Sequence, residues 1–282
     1  MHTRLLLILF LSCAALCACS QKDKKKELPV LPPGYDMQRA EKIKLKEELK
    51  EISGIYFLKD SGQIIAEDDE EGKLFKVDAA TGDIRSVFQF HDHGDFEDLA
   101  WDGTYWYVLK SNGNLFRVSG AFTDTSRTEV FKPRLPGNNN FEGLFYNLAD
   151  RKIYQFCKLC EGDSGKISVY GFNTVNMSFE PGPVMTIIPD RTMLQGIDSA
   201  EVIRPSAAAI HPVTGEWYIL ASVNHILIVA APDGKWKKVY PLDKSWFKQP
   251  EGICFTPKGD LYISNEGRNG TANIVSIPWT GK

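Results

Sequence analysis

The chain has 282 residues, of which 33 are basic and 36 are acidic, giving a formal net charge of −3. This balance provides no basic surface of the kind that binds nucleic acid, so we expect no nucleic-acid partner. After an N-terminal leader, the remaining length suits one well-packed domain, which we expect to be a monomer.

The N-terminus has the pattern of a bacterial export signal. Arg4 precedes an apolar run over residues 5–16, which is too short to span a bilayer but has the length of a signal peptide's apolar region. The run leads into Ala18-Cys19, and a small residue before a cysteine at this place resembles a lipobox. We therefore expect residues 1–18 to be cleaved and Cys19 to carry acyl chains. The alternative is an ordinary signal peptide with incidental cysteines.

The segment after Cys19 predicts a flexible tether. Residues 19–40 are rich in Lys and Pro and show neither a helical nor a strand period. No later segment is long and apolar enough to cross a membrane. We therefore expect residues 41–282 to form a single exported domain, held by its lipid either at the outer membrane or on the periplasmic side of the inner membrane.

Residues 41–282 contain a repeated pattern in which a small or acidic residue and a second small residue precede an apolar strand. The repeats begin at Ser53, Glu97, Glu142, Ser206 and Glu251, at intervals of 44, 45, 64 and 45 residues. Each start is followed by a turn signal and by two further short runs rich in aromatic and β-branched residues. A period of about 45 residues with three or four antiparallel strands is typical of a propeller blade. The sequence predicts an all-β propeller of five blades.

Two segments lie outside the regular repeat. The last repeat ends after its third strand, and the alternation within residues 41–49 predicts an outer strand that pairs with the last blade; a short surface helix is the alternative. The longest interval contains an insertion over residues 173–203, which we interpret as an outer strand and a loop. A cramped sixth blade is the alternative for this insertion.

The repeat starts resemble those of the SdiA-regulated family. The resemblance rests on EISGI (51–55), FEDLA (96–100), NFEGL (140–144), QPEGI (249–253) and GDLYISNE (259–266), and it extends in order over residues 41–279. It implies a five-bladed propeller that is exported, membrane-associated and without established enzymatic activity. The chain departs from the family pattern at the fourth repeat, where Arg204-Pro205-Ser206-Ala207 replaces a small polar motif preceded by an acid.

The repeat starts also predict a site, because the innermost strand of each blade lines the central channel of a propeller. We expect Glu97, Glu142 and Glu251 to meet at one mouth and to share a cation, and oxygen-only ligands favour calcium. An ordered water cluster is the second possibility, and carboxylates that bind backbone amides of neighbouring blades are the third. The expected rim groups are Glu51, Ser53, Asp98, Ser206 and Glu266.

The cysteines and histidines carry weaker signals. Cys157 and Cys160 form a lone CxxC without the second pair or the histidines of a zinc site, which indicates a local disulfide or two free thiols. Cys254 lies in an apolar strand and is interpreted as a buried small hydrophobe. We interpret the segment around His91 and His93 as a solvated loop rather than as a transition-metal site.

Two function classes remain. The first is a non-catalytic propeller that binds a ligand or a protein at its channel face. The second is a calcium-dependent hydrolase of the lactonase or phytase type, which rests on analogy of fold alone. A hydrolase needs a metal with an open position and a general base. Because the channel acids are few and the fourth repeat lacks one, the binding function is favoured.

Overall fold

The computed structural model describes residues 28–59, 61–197, 201–268 and 270–281. The predicted signal peptide, the Ala18-Cys19 cleavage site and the first part of the tether lie outside the described residues. Within those residues, no helix has the length and apolar character that a membrane crossing requires.

The strands follow in chain order, with short 3₁₀ helices at Met37–Arg39, Glu47–Leu49 and Arg191–Leu194. After β1 (Glu41–Lys44), the first blade consists of β2 (Ile52–Leu58), β3 (Gln63–Asp68), β4 (Lys73–Asp78) and β5 (Ile84–Gln89). The second blade consists of β6 (Phe96–Trp101), β7 (Trp106–Lys110), β8 (Leu115–Ser119) and β9 (Arg127–Phe131). The third consists of β10 (Asn139–Asn147), β11 (Lys152–Cys160), β12 (Ile167–Asn173) and β13 (Ser178–Ile187). The fourth consists of β14 (Ala207–Ile210), β15 (Trp217–Ala221), β16 (Ile226–Ala230) and β17 (Trp236–Pro241). The fifth contains β18 (Pro250–Phe255), β19 (Leu261–Asn265) and β20 (Asn273–Ile277).

The ring is closed by the N-terminal strand. β1 pairs antiparallel with β20, with Glu41 opposite Ser276 and Lys44 opposite Asn273, and so supplies the fourth strand of the last blade. The described part of the chain thus forms five four-stranded antiparallel sheets, which confirms the all-β, five-bladed propeller. The predicted outer strand is confirmed, and the helical alternative applies only to the 3₁₀ turn that follows it.

The insertion over residues 173–203 extends the third blade. It contributes β13, whose edge position tolerates Pro183 opposite Tyr170 because an edge strand has one unpaired side. The Arg191–Leu194 turn follows. The interpretation as an outer strand and a loop is confirmed, and the described part of the insertion forms no sixth blade.

The core lies between blades rather than inside them. Among the described residues, five apolar clusters occur, one at each junction of neighbouring blades. For example, Ile65 of the first blade packs with Phe96 and Phe116 of the second, and Phe156 of the third packs with Trp217 of the fourth. Each fully buried side chain of this size contributes about 1.5–3 kcal/mol. The blades therefore stabilise one another around the ring.

Part of the predicted tether belongs to the folded domain. Leu31 and Met37 are buried in the cluster between the fourth and fifth blades. Tyr35 forms a β-bridge with Trp279, and its hydroxyl donates a hydrogen bond to the carbonyl of Gly259, with a distance of 3.1 Å. The prediction of a flexible segment up to residue 40 was wrong for this part, because its few apolar side chains pack against the ring. The chain thus reaches the ring at the end where the turns after β14 and β18 lie.

Candidate functional site

One mouth of the channel is acidic. At the end where the innermost strands begin, a cavity of about 210 Å³ is lined, among the described residues, by seven carboxyl groups and two cationic side chains. Its charged and polar lining consists of Glu51, Ser53, Asp69, Asp95, Glu97, Asn140, Glu142, Lys158, Glu251, Glu266 and Arg268. We call this cavity the acidic mouth. It brings together the three predicted glutamates and three of the predicted rim groups, namely Glu51, Ser53 and Glu266.

Glu142 is one of two acids in this cavity that have a cationic partner among the described residues, the other being Glu266. It opens the central part of β10 and forms an ion pair with Lys158 of β11. Burial raises the pKa of Glu142, and the charge of Lys158 opposes that shift. The pair therefore offsets one negative charge at a position with little access to water.

Glu97 lies beside this pair without a partner of its own. Burial raises the pKa of Glu97 to about 10, and the negative charges of Glu142 and Asp95 add to the effect. No side chain or backbone group of the described residues donates a hydrogen bond to its carboxyl group. Burial and the neighbouring acids therefore favour the protonated form of Glu97, and a cation that enters the mouth would favour the carboxylate instead.

Glu251 and Asp69 complete a set of acids that titrate near neutrality. Burial, together with the charge of Glu142, raises the pKa of Glu251 to about 7, although the Ser222 hydroxyl donates a hydrogen bond to its Oε1 at 3.0 Å. Burial and the charge of Asp68 raise the pKa of Asp69 to about 7. The charge of the acidic mouth therefore changes over the physiological pH range.

On the side of the mouth formed by the fifth blade, the negative charge is partly compensated. The carboxyl of Glu266 accepts hydrogen bonds from Gln249 Nε2 at 2.9 Å and from Arg268 Nε at 3.1 Å. A hydrogen bond with Glu266 is the main cause that raises the pKa of Glu51. Glu97 and Asp69, by contrast, have no cationic partner among the described residues.

Two predicted rim residues lie deeper and hold the ring together. Asp98 is 2% exposed, and its carboxylate accepts hydrogen bonds from the backbone N–H of Leu99 at 2.8 Å and of Leu144 at 2.7 Å. Ser206 donates a hydrogen bond to the carbonyl of Pro250 at 2.9 Å. Neither residue lines the acidic mouth. Asp98 thus shows the third arrangement that the sequence left open, in which a carboxylate accepts hydrogen bonds from backbone amides of a neighbouring blade.

The predicted calcium ligands surround the cavity but do not form a compact cluster. Among the described residues, the only three His, Cys, Asp or Glu side chains whose ligand atoms lie within 4.8 Å of one another are Cys157, Cys160 and Asp163. Cys157 and Cys160 form a disulfide, so their thiolates are not available to a metal. Calcium at the acidic mouth stays a prediction.

The opposite mouth is aromatic. A cavity of about 380 Å³ lies where the innermost strands end, and we call it the aromatic mouth. Its large side chains include Tyr56, Phe57, Trp101, Phe145, Tyr146, Ile210 and Phe255, and Lys59 is the one charged residue among the described residues of its lining. The two ends of the channel thus differ sharply in polarity.

The SdiA-regulated family model matches residues 30–269. The chain belongs to the SdiA-regulated family. The resemblance seen in the repeat starts is thereby confirmed. No curated protein matches the chain in sequence.

Solved structures share the fold of this SdiA-regulated propeller at low sequence identity. Glutaminyl cyclase from Myxococcus xanthus has a TM-score of 0.58 at 12% identity, covering 86% of this chain and 96% of that one. Regucalcin from Agrobacterium tumefaciens, a calcium-binding protein, has a TM-score of 0.52 at 13% identity, covering 83% and 92%. A chain of a nidogen/laminin complex has a TM-score of 0.51 at 14% identity, covering 78% and 74%. These similarities establish the fold alone.

Sequence reasoning indicated some residues of the mouths of this SdiA-regulated propeller and missed others. Lys158 and Asp69 each follow the second strand of a blade, a position that indicates a rim group, and the structure places both at the acidic mouth. Arg268 at the acidic mouth and the whole aromatic mouth were missed. The aromatic mouth had a visible signal, because the innermost strands end in Tyr56-Phe57, Trp101, Phe145-Tyr146 and Phe255. These aromatic residues recur at the ends of the innermost strands, as the acids recur at their starts, so ring symmetry predicts that they too converge at one mouth.

Proposed function

We propose that this SdiA-regulated propeller is an exported lipoprotein that binds a small organic cation at its acidic mouth and catalyses no reaction. The observation that carries the proposal is the charge imbalance of one cavity, in which seven carboxyl groups face two cationic side chains. Carboxylates close together in a partly dry site repel one another unless a cation offsets them. An ammonium group is such a cation, and it can also donate several hydrogen bonds to the carboxylate oxygens around it.

The position of Glu97 supports an entering cation. Its carboxyl group has no hydrogen-bond donor among the described residues, and its pKa is raised to about 10 by burial and by the charges of Glu142 and Asp95. A cation close to Glu97 would stabilise the carboxylate and release the proton. Binding at this mouth should therefore be linked to proton release and should strengthen as the pH rises.

Calcium is the second candidate for the same cavity. The specific observation in its favour is that Asn140 Oδ1 and Asp69 Oδ1 are buried without a hydrogen-bond partner among the described residues, and both residues line the acidic mouth. Unpaired oxygens of this kind suit a hard cation. Lys158 already places an ammonium group beside Glu142, which favours an organic ammonium as the ligand over a divalent metal ion.

The location is part of the proposal. Cys19 would carry the acyl chains, and the described chain reaches the ring beside Tyr35, at the end opposite the acidic mouth. The acidic mouth would then face away from the membrane and remain open to soluble ligands. This arrangement applies to the outer membrane and to the periplasmic side of the inner membrane alike.

The test is thermal unfolding of the full mature lipoprotein in detergent, with spermidine or calcium chloride added at constant ionic strength. A ligand at a hundredfold excess over its dissociation constant stabilises the folded state by about 2.7 kcal/mol. We expect spermidine to raise the unfolding temperature of the parent and of Glu41→Gln, an exposed control on β1, but not of Glu97→Gln. A shift with calcium alone would favour the second candidate, and no shift with either cation would refute a cation site.

A further inference from the structure

The aromatic mouth is a rigid cavity rather than a loose patch of apolar side chains. Several of its rings pack against rings of the same blade or of the next blade. Tyr56 packs edge-on against Trp106, with ring centres 5.2 Å apart. Trp101 packs on the same Trp106 at 4.7 Å, and Phe145 packs against Trp217 at 4.9 Å. Such contacts fix the ring orientations, so the cavity is formed before any ligand arrives.

The apolar surface continues outward from this cavity onto two adjoining turns. Leu148, in the turn after Tyr146, is 76% exposed, and Val213, in the turn after Pro212, is 55% exposed. Exposed apolar patches of this kind mark surfaces that contact proteins or membranes. The aromatic mouth and these turns form one continuous face of the propeller.

The same face is where the chain arrives from its N-terminus. Tyr35 contacts Gly259 and Trp279 at this end of the ring, and Val30, before it, is 71% exposed. Eight residues lie between Cys19 and Leu28, so the two Cα atoms are nine steps apart, a length that spans at most about 30 Å. A lipid on Cys19 would therefore hold this face close to the membrane surface.

The charge of the mouth fits an anionic lipid surface. Lys59 is exposed at the rim, and among the described residues it is the one charged side chain in the lining of the aromatic mouth. Aromatic side chains with a polar atom, such as Tyr56, Trp101 and Tyr146, are the residues that favour the interface between headgroups and acyl chains. A nearby lysine adds attraction to anionic headgroups.

We propose that the aromatic mouth docks on the membrane that holds the lipid anchor, with Tyr146 and Trp101 among the acyl chains and Lys59 at an anionic phospholipid headgroup. This inference rests on the proposed lipidation of Cys19. It assigns the two ends of the channel different partners, because the aromatic end meets lipid while the acidic end meets solvent.

The test uses the full mature lipoprotein reconstituted into vesicles of phosphatidylcholine and phosphatidylglycerol whose acyl chains carry bromine. We expect the vesicles to quench tryptophan fluorescence, with loss of most of the quenching in Tyr146→Asp. Leu159→Asp provides the matched control, because Leu159 is 57% exposed on β11 and lies outside the aromatic mouth. It should keep the parent's quenching. Circular dichroism verifies that each variant is folded.

A second variant keeps the proposal falsifiable if Tyr146→Asp does not fold. Lys59→Glu changes an exposed turn residue, and we expect it to lose the part of the quenching that depends on phosphatidylglycerol. Parent-like quenching in both variants, or an equal loss in Leu159→Asp, would overturn the docking. A dimer in detergent that Tyr146→Asp dissociates would assign the face to a second copy instead.

Flotation of the same vesicles separates this inference from the lipid anchor. A parent protein that does not float with the vesicles contradicts lipidation. A parent protein that floats but shows no quenching contradicts the docking while leaving the anchor intact.

Discussion

Glu142 and Lys158 form an ion pair across β10 and β11 inside the acidic mouth. The Glu142 side chain is 7% exposed and that of Lys158 is 25% exposed, so the pair is well shielded from solvent. Breaking such a pair on one side leaves an uncompensated charge with little access to water, which costs more than the pair itself contributes.

Lys158→Met is expected to lower the free energy of unfolding by about 3 kcal/mol at pH 8, because the buried Glu142 then lacks its cation. The loss should be much smaller at pH 5, since Glu142 takes up a proton once Lys158 no longer lowers its pKa. Urea titrations at both pH values measure the difference. Adding Glu142→Gln should restore most of the stability at pH 8, and an equal loss at both pH values would contradict the explanation.

Close packing at the channel axis gives a second prediction. A Cβ atom added at Gly54 would lie 2.6 Å from Asp98 Oδ1 and 2.7 Å from its Cα, so the backbone of the neighbouring blade would have to move. We expect Gly54→Ala to lower the free energy of unfolding by about 3 kcal/mol. Chemical denaturation measures this loss.

The matched control is Gly182→Ala. A Cβ at Gly182 would meet no atom within 4 Å, and the residue lies in the edge strand β13. Its substitution should leave stability unchanged or raise it slightly, because alanine has less freedom in the unfolded chain. Equal effects of the two substitutions would show that the close approach of Gly54 to Asp98 does not limit the packing.

The fold was accessible from sequence because a propeller repeats one pattern. The repeat starts all lie in the first four residues of an innermost strand or directly before one, at Ser53, Glu97, Glu142, Ser206 and Glu251. The closing strand was also predictable, since the last repeat lacked its fourth strand. The packed segment around Leu31 was not, because a few apolar residues among prolines carry no period.

The site was only partly accessible for a physical reason. Ring symmetry predicts that acids at equivalent positions converge, and Glu97, Glu142 and Glu251 do line one mouth. Ring symmetry does not predict which side chain offsets the negative charge of these acids, because Lys158 reaches Glu142 from the second strand of the blade. Asp98, one position after Glu97, points to backbone amides, since successive residues of a strand face opposite sides.

The disulfide between Cys157 and Cys160 gives a third prediction, because it closes a short loop at the end of β11, next to the acidic mouth. In the chain-entropy treatment a loop of about four residues contributes about 2 kcal/mol. We expect Cys157→Ser with Cys160→Ser to lower the free energy of unfolding by that amount. The loss should vanish when parent and variant are compared under reducing conditions. A larger loss that persists there would indicate that the serines disturb the packing.

The last prediction concerns the pH dependence of stability. Glu251 and Asp69 have pKa values raised to about 7, and Glu97 has one raised to about 10, against ordinary values of 4.5 for Glu and 3.8 for Asp. A raised pKa means that the folded state binds more protons than the unfolded state between the two values. The free energy of unfolding therefore falls as the pH rises through that window.

The ligand-free protein should accordingly be more stable at pH 5 than at pH 8, the reverse of a protein stabilised by paired carboxylates. For Glu251, the difference between the pKa values of the folded and unfolded states corresponds to a change in the free energy of unfolding on the order of 3 kcal/mol. Glu251→Gln should flatten the profile and stabilise the protein at pH 8, whereas Glu41→Gln on the exposed outer strand should leave the profile unchanged. Urea unfolding across this range measures the slope. Stability that rises steadily from pH 5 to pH 8 in the parent would show that the mouth acids are ionised and compensated in the folded state, and the basis for an uncompensated acidic mouth would be lost.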